Sequence, residues 1–228
     1  MKTLVTVARY HLVDRMTYAA LPWGILAFTF VVNIVIAALA PTPKGYYTGA
    51  VASFYFVLLA AGAVSLTRGL PFVMMLGVSR RSYYLGTTAL VVLLGVIYSF
   101  ALAMLPVVEG ATGGWGNTVH FFRVPWLLQG PWYESWLTSF VLLVSFWLYG
   151  MWCGLVYRRW NLPGVAVFFV GQVMVVLVAV VAVSLSHSWS DVGNFFTSLT
   201  ALAVTGVLAA AAVVFGVGGF TTLRRATV

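Results

Sequence analysis

Six long stretches without a single charged residue dominate this sequence and limit what it can fold into. A helix needs roughly 18 or more such apolar residues to cross the roughly 30 Å hydrocarbon core of a bilayer. The stretches occupy residues 16–43, 45–67, 82–108, 135–157, 160–190 and 192–223. Trimming them at proline, glycine and polar clusters predicts membrane-spanning helices near 22–40, 49–67, 83–105, 135–157, 162–184 and 199–220.

A chain with this pattern has little material for a soluble domain. Of its 228 residues, 62% are hydrophobic and 7% are charged, whereas soluble domains average about 25% charged residues. We therefore expect an all-α integral membrane protein in which residues 1–228 form a single transmembrane domain. The single cysteine, Cys153, excludes an internal disulfide and a cysteine-based zinc cluster, and we interpret it as a packing residue.

The basic residues predict the orientation of the spans. With a cytoplasmic N-terminus, ten of the twelve Lys and Arg residues fall inside and only Lys44 and Arg123 fall outside. An excess of basic residues is typical of the cytoplasmic side, so both termini are predicted to be cytoplasmic. A signal peptide ending near Ala40 is the alternative. We expect no cleavage, because the apolar run is too long for such a peptide and Pro41 follows directly.

Three segments outside the spans have patterns of their own. Residues 1–20 carry an apolar arc bordered by basic residues, which predicts a cytoplasmic interfacial helix; a plain extension of the first span is the alternative. The aromatic-rich segment 106–134 is expected to form a large extracellular loop, as a lid or a re-entrant hairpin. Residues 186–200 predict a short interfacial helix with Asp191 as its cap.

The last span carries small residues four positions apart, Gly206 with Ala210 and Ala212 with Gly216. Small residues let helices approach closely in lipid. Packing within the chain is the simpler interpretation, and contact with a second chain is the alternative.

The patterns of several enzyme classes are missing from the sequence. It contains no P-loop pattern for ATP, no Gly-x-Ser-x-Gly elbow and no His-Glu-x-x-His zinc motif. The histidines His11, His120 and His187 are scattered along the chain and do not suggest a metal cluster. We therefore predict that this chain is not an enzyme and binds no cofactor or metal itself.

The six predicted spans also lack Asp, Glu, Lys, Arg and His. Proton- and ion-driven transporters usually carry such groups near the midplane, where they bind the coupling ion. Their absence disfavours secondary transport and indicates that the energy for any transport enters from a partner. It also favours a neutral or amphipathic, partly apolar substrate over a small ion.

Two amides near the middle of the spans are the clearest polar signals. Asn33 and Gln172 must find a partner or face a wet cavity, because an unpaired amide in hydrocarbon is costly. Interhelical hydrogen bonding and the lining of a substrate path are both open interpretations. Weaker candidates for the same path are Ser53, Tyr55, Phe168 and Phe169.

The stretch LPFVMMLGVSRRSYYLG, residues 70–86, joins the second and third spans. Pro71 suits the first turn of a short helix, Gly77 suits its end, and Ser79 suits the cap of the next helix. The helix between them is too short to be stable alone. Its apolar face, 72–76, must therefore dock on the membrane surface, on a groove of this protein or on a partner. The two arginines that follow are suited to lipid phosphates or to acidic residues of a partner.

The sequence MLGVSRRSYYLGT, residues 75–87, resembles the coupling-helix region of the permeases of six-helix ABC exporters of the type-2 class. The short basic tail LRRATV, residues 223–228, is similar to the tails of bacterial members. The six predicted spans, the cytoplasmic termini and the helix between spans two and three match the same family. The resemblance implies a multi-pass permease of the bacterial plasma (inner) membrane.

The resemblance also implies a division of labour between chains. Two permeases, identical copies or paralogues, pair around a central path, and each docks its coupling helix on a separate ABC ATP-binding subunit. That subunit binds ATP and magnesium, and its closure would drive alternating access and the export of a drug, antibiotic, lipid or peptide. The implied ATPase-coupling residues are Leu70, Pro71, Phe72, Val73, Met74, Met75, Leu76, Gly77, Ser79, Arg80 and Arg81.

In that family the second and fifth spans border the path, which favours Ser53, Tyr55, Phe168 and Gln172 as lining residues. The chain departs from many members in one respect, because its large outer segment is 106–134 and not the segment between spans five and six. Two alternatives stay open. One is a non-transporting membrane sensor or assembly module that captures a ligand with its outer loop, and the other is a passive channel or membrane enzyme.

Overall fold

The computed structural model describes residues 16–39, 46–115, 119–123 and 131–225 of the chain. Within these ranges, five helices are long and apolar enough to cross a membrane, which agrees with the predicted all-α membrane architecture. Most of the predicted surface helix at 1–20 lies outside the described residues, as does part of the 106–134 segment.

The helices follow one another as α1 Leu21–Leu39, α2 Ala52–Val64, α3 Leu70–Met75, α4 Arg80–Ala111, α5 Trp132–Leu185, α6 Trp189–Ser198 and α7 Ala201–Arg225. Two π-helical turns, Met16–Ala20 and Ser65–Gly69, lead directly into α1 and α3. Two strands of two residues each, β1 Tyr46–Tyr47 and β2 Val119–His120, pair in parallel.

Two local features differ from the sequence expectations. The third span was expected near 83–105, and the helix that contains it, α4, begins at Arg80 and continues through Pro106 to Ala111. Leu102, Pro106 and Glu109 lie on one buried face of α4, so tertiary packing offsets the hydrogen bond that the helix loses at Pro106. Asp191 was expected to cap α6, but that helix begins two residues earlier and holds Asp191 inside its first turn.

Helix α5 reverses direction at Asn161, whose φ of 54° and ψ of −155° are not helical. The Tyr149 hydroxyl donates to Gln172 Oε1 at 2.7 Å, and the Trp152 and Phe168 rings lie 4.9 Å apart. In a straight helix, positions 149 and 172 would be roughly 35 Å apart. Helix α5 therefore consists of two antiparallel arms, called here the first arm (132–160) and the second arm (162–185). The turn that joins them lies between the predicted fourth and fifth spans.

The first arm is the central helix of the fold, and it touches α2 through glycines. A side chain on Gly150 would overlap the carbonyl oxygen of Leu59, and a Cβ on Gly154 would lie 2.6 Å from the carbonyl oxygen of Ala63. Gly62 on α2 is equally close to the first arm. The backbones of the two helices thus meet directly, as small residues permit in lipid.

Helix α7 packs against the opposite side of the first arm. The Thr138 and Thr205 hydroxyls are 2.7 Å apart. Ser145 Oγ, which donates to Val141 O at 2.6 Å within the first arm, also lies 3.3 Å from the Leu208 carbonyl of α7. Of the small residues in the last span, Ala212 is buried, whereas a Cβ at Gly206 would meet open space. Packing within the chain therefore explains the small residue at Ala212 but not the one at Gly206.

Candidate functional site

The segment between α2 and α4 is a direct extension of α2. The backbone keeps right-handed helical angles at Val64, Ser65, Gly69 and Leu70, so helical structure runs unbroken from Ala52 to Met75. The expected short helix is present as α3, with Pro71 in its first turn, but it continues α2 and is not separate from it. Pro71 has no N–H to donate in the regular α-helical bonding pattern. The wider π turn lies just before it, where that pattern would have required this N–H.

The faces of α3 divide its apolar residues into two sets. Leu70 and Val73 are buried in the protein's own core, which anchors the helix. Phe72, Met75 and Leu76 are 48%, 81% and 66% exposed. Val73 therefore does not belong to the predicted docking face, and the three exposed residues form what we call the apolar tip.

The predicted end of α3 and the predicted start of α4 are confirmed. Gly77 has a φ of +79°, a backbone conformation that glycine adopts without strain. Ser79 precedes the first turn of α4, and its Oγ accepts the Ser82 N–H at 3.2 Å. These two residues fix the corner, so the apolar tip protrudes from a rigid turn.

Arginines surround a cavity beside this corner. Arg80, Arg81 and Arg224 line a space of about 300 Å³, together with Phe220 and Leu223 of α7. We call it the arginine pocket. The Arg224 guanidinium lies 5.9 Å from the centre of the Phe220 ring, a distance at which cation and ring attract each other.

A second cavity lies halfway along the helices. It has a volume of about 370 Å³ and is lined by side chains of α2, both arms of α5 and α7. Most of them are apolar, including Phe56, Leu59 and Phe215, but Ser145, Tyr149 and Gln172 contribute polar groups. Apolar walls with a few converging polar groups are typical of small-molecule sites. We call this cavity the Gln172 groove.

The structure separates the six candidate path residues into two sets. Gln172 lines the groove, while Phe168 and Phe169 pack near the Tyr149 ring at 6.2 and 6.5 Å. The other three do not line the groove and bond to other partners, although the Tyr55 ring lies 5.8 Å from the Phe146 ring in the groove wall. Asn33 Nδ2 donates to Thr29 O at 2.8 Å within its own helix, Ser53 Oγ lies 3.3 Å from Thr29 Oγ1, and the Tyr55 hydroxyl donates to Ser139 Oγ at 3.4 Å.

We expect Gln172→Leu to lower the free energy of unfolding by about 1–3 kcal/mol, because it leaves the half-buried Tyr149 hydroxyl without its acceptor. Adding Tyr149→Phe should recover most of the loss, since neither partner then remains unpaired. Thermal unfolding of the single and double variants in detergent measures both effects. Additive losses in the double variant would show that the two side chains do not depend on each other.

The sequence analysis missed a buried carboxylate at the other end of α4. Glu109 is fully buried. Its Oε2 accepts the backbone N–H groups of Phe121 and Phe122 at 2.9 and 2.8 Å and the Trp115 indole N–H at 3.3 Å. His120 Nδ1 lies 3.5 Å from Oε1. One side chain thus holds several parts of the predicted lid on the end of the helix.

Aromatic packing attaches the same segment to α1. The Phe30 ring lies 5.0 Å from Trp115, 5.3 Å from Phe121 and 5.7 Å from Phe122, and the Tyr47 ring stacks on His120 at 4.6 Å. One signal for this arrangement is visible in the sequence. Glu109 is the only acidic residue between Asp14 and Glu134, and an acid that closes a charge-free helix needs hydrogen-bond donors nearby.

No protein family, curated protein or solved structure matches this chain.

Proposed function

We propose that this protein is the permease subunit of a bacterial ATP-driven exporter of the six-helix, type-2 ABC class. It would move a neutral or amphipathic molecule, such as a drug, an antibiotic, a lipid or a peptide, across the inner membrane. The observation that carries the proposal is the apolar tip, an exposed apolar surface on the rigid end of a continuous helix. Such a surface, flanked by arginines, suits the cleft of a separate ATP-binding subunit.

The fold-back at Asn161 supports six crossings of the membrane. The first arm has 29 residues and the second has 24, which correspond to roughly 43 and 36 Å of helix. Each is longer than the roughly 30 Å of hydrocarbon to be crossed. Together with α1, α2–α3, α4 and α7 they would make six spans, which would place both termini on one side. The basic residues favour the cytoplasm for that side.

The continuity of α2 with α3 supplies a route for mechanical coupling. Phe56 and Leu59 line the Gln172 groove, and Phe72 of the apolar tip lies 13 residues beyond Leu59 on the same helical run. That separation is roughly 20 Å of helix. A partner that displaces the tip after binding ATP would therefore move one wall of the groove, as alternating access requires.

Substrate handling would take place in the Gln172 groove. Its walls are apolar, and its polar groups are a hydroxyl from Ser145, a phenol from Tyr149 and an amide from Gln172. These groups are uncharged, so they suit an apolar molecule that carries hydrogen-bonding groups. A second permease, a copy or a paralogue, would complete the central path.

Co-purification with the candidate ATP-binding subunit tests the proposal. We expect the full chain, co-expressed with its neighbouring genes, to retain an ATP-binding protein encoded among them. Met75→Asp should reduce the retained amount at least tenfold, since it places a charge in an apolar contact. Leu185→Asp is the matched control, because Leu185 is 77% exposed and Met75 is 81% exposed. Leu185 is the last residue of the second arm, at the end far from the turn at Asn161.

Either of two results would contradict the proposal. The wild-type chain could retain no ATP-binding protein, or Met75→Asp could retain as much of it as Leu185→Asp does. Gel filtration of both variants in detergent confirms that they are folded before the comparison is made.

A further inference from the structure

The hydrogen bonds around the Gln172 groove leave one donor unused. The Ser145 hydroxyl donates to the Val141 carbonyl at 2.6 Å, and the Tyr149 hydroxyl donates to Gln172 Oε1 at 2.7 Å. Both hydroxyl protons are therefore occupied. The two N–H bonds of Gln172 Nε2 have no acceptor among the described residues, and this nitrogen is accessible from outside the protein.

The bond to Tyr149 fixes the orientation of the Gln172 amide. An amide has an acceptor side, its carbonyl oxygen, and a donor side, its NH₂ group. Because the Tyr149 hydroxyl takes the oxygen of Gln172, the NH₂ group is the side that remains for a bound molecule. The groove is therefore arranged to donate a hydrogen bond to its ligand.

The Gln172 amide lies at a depth where water is not its natural partner. Gln172 is 11 residues beyond the turn at Asn161 on the second arm, which is roughly 16 Å of helix. Half of the hydrocarbon thickness of a bilayer is roughly 15 Å. An unpaired N–H in that environment costs free energy, so a ligand that brings an acceptor removes the cost.

The apolar walls define the rest of the ligand. The Phe56 and Phe146 rings meet edge to face at 5.5 Å, and the Phe215 ring lies 5.1 Å from the Tyr149 ring. Such walls favour a ligand with rings of its own. None of the described residues that line the groove carries a charge, so a neutral ligand fits best. The volume of about 370 Å³ is typical of small-molecule sites.

We propose that the Gln172 groove binds neutral, ring-containing carbonyl compounds, such as ketones, esters and amides. The carbonyl oxygen accepts a hydrogen bond from Gln172 Nε2, and the rings lie among the phenylalanines of the wall. The inference rests on the proposed function in one respect, namely that this groove holds the transported molecule. It narrows that molecule from any amphipathic compound to one with a carbonyl acceptor.

Benzophenone and diphenylmethane test the inference, because they share two phenyl rings and differ only by the carbonyl group. Benzophenone also attaches to nearby C–H bonds under ultraviolet light, so peptide mass spectrometry of the labelled full chain in detergent locates it. We expect the label on the groove-lining parts of α2, α5 and α7. Diphenylmethane is measured as a competitor of the labelling.

The double variant Gln172→Leu/Tyr149→Phe removes the donor and leaves neither partner unpaired. We expect half-saturation of labelling to need about tenfold more benzophenone, a change that corresponds to about 1.4 kcal/mol and lies within the range of one net hydrogen bond. Competition by diphenylmethane should change less than about twofold. Any difference in detergent partitioning between the two compounds cancels, because each compound is compared with itself in the two proteins.

Two further variants test the place and the polarity of the site. Ala211→Phe fills the groove and should abolish labelling, whereas Ala210→Phe should not change it, since Ala210 is exposed and does not line the groove. Tyr149→Phe alone frees Gln172 Oε1 as an acceptor. Diphenylmethanol, which carries an O–H donor, should then gain affinity relative to benzophenone, and a purely structural role of Tyr149 would not produce that gain.

Several results would overturn the inference. They are labelling outside the groove, unchanged half-saturation in the double variant, an equal loss for diphenylmethane, an equal loss in Ala210→Phe, and no gain of diphenylmethanol in Tyr149→Phe. The purified chain needs no ATP-binding subunit for these measurements. Carbonyl-dependent labelling of a chain that retains no such subunit would contradict the exporter proposal alone, and loss of the carbonyl preference in a chain that retains it would contradict this inference alone.

Discussion

Replacing Gly150 with valine is expected to prevent this protein from folding stably in detergent. Any side chain at position 150 would overlap the Leu59 carbonyl oxygen, and the obstacle is backbone, which has no rotamer to change. Excess volume in a packed core typically costs about 1–3 kcal/mol, and more where neighbours cannot yield. We expect a loss of at least about 3 kcal/mol for Gly150→Val, and a smaller loss for Gly150→Ala. Thermal unfolding and gel filtration measure both.

Gly171→Val is the matched control for Gly150→Val. Gly171 lies in the second arm of the same helix, but a Cβ there would meet open space. The two substitutions have the same effect on helix propensity, so the difference between them isolates the contact with α2. Equal unfolding temperatures for the two variants would show that the close approach of α2 and the first arm is not what holds the fold together.

Glu109→Ala is expected to be similarly damaging at the other end of the protein. It would leave the backbone N–H groups of Phe121 and Phe122 and the Trp115 indole N–H without their common acceptor. A buried donor without a partner costs about 1–3 kcal/mol, so we expect a total loss of at least about 3 kcal/mol. Glu109→Gln should lose less, because its amide oxygen still accepts.

Two measurements and one control variant separate the effect of Glu109→Ala from a general loss of acidic charge. Thermal unfolding gives the stability, and amide hydrogen exchange at residues 119–123 reports whether that segment stays attached. Glu134→Ala is the control, since Glu134 lies in the first turn of α5, where an acid typically contributes about 0.3–1 kcal/mol. Protected amides at 119–123 in the Glu109→Ala variant would contradict the assigned role.

Features that depend on local chemistry could be predicted from the sequence. Charge-free runs locate the long helices because a charge in hydrocarbon is costly. Gly77 and Ser79 mark a helix end and a helix start because positive φ and side-chain capping are properties of single residues. The reversal at Asn161 has one local signal, since Pro163 suits the first turn of the second arm. The φ of 54° and ψ of −155° at Asn161 itself lie in a region that favours glycine, so the asparagine alone does not predict the reversal.

Features that depend on contacts between distant segments could not be predicted. Gly150 and Gly154 form a visible small-residue pair, but no pattern in the sequence shows that Gly62 lies against them. The continuity of α3 with α2 depends on the burial of Leu70 and Val73 in the core, which local propensity does not reveal.

The two amides of the candidate site also show that contacts between distant segments cannot be predicted from the sequence. Asn33 and Gln172 look alike in the sequence, as single amides in the middle of apolar spans. Asn33 is satisfied by the Thr29 carbonyl of its own helix, whereas Gln172 meets Tyr149 from the other arm and faces the groove. Hydropathy cannot separate these outcomes, because they depend on which helix face meets which neighbour.

The turn at Asn161 also constrains how the chain enters the bilayer during synthesis. The two arms are joined with almost no linker, so they must insert together as one helical hairpin, with Arg158 and Arg159 held beside its bend. Ser145 on the first arm donates to Val141 O of its own helix at 2.6 Å, whereas the Thr138 hydroxyl meets the Thr205 hydroxyl of α7 at 2.7 Å. The Thr138 hydroxyl therefore gains its Thr205 partner only when α7, which follows the hairpin in the chain, packs against the first arm.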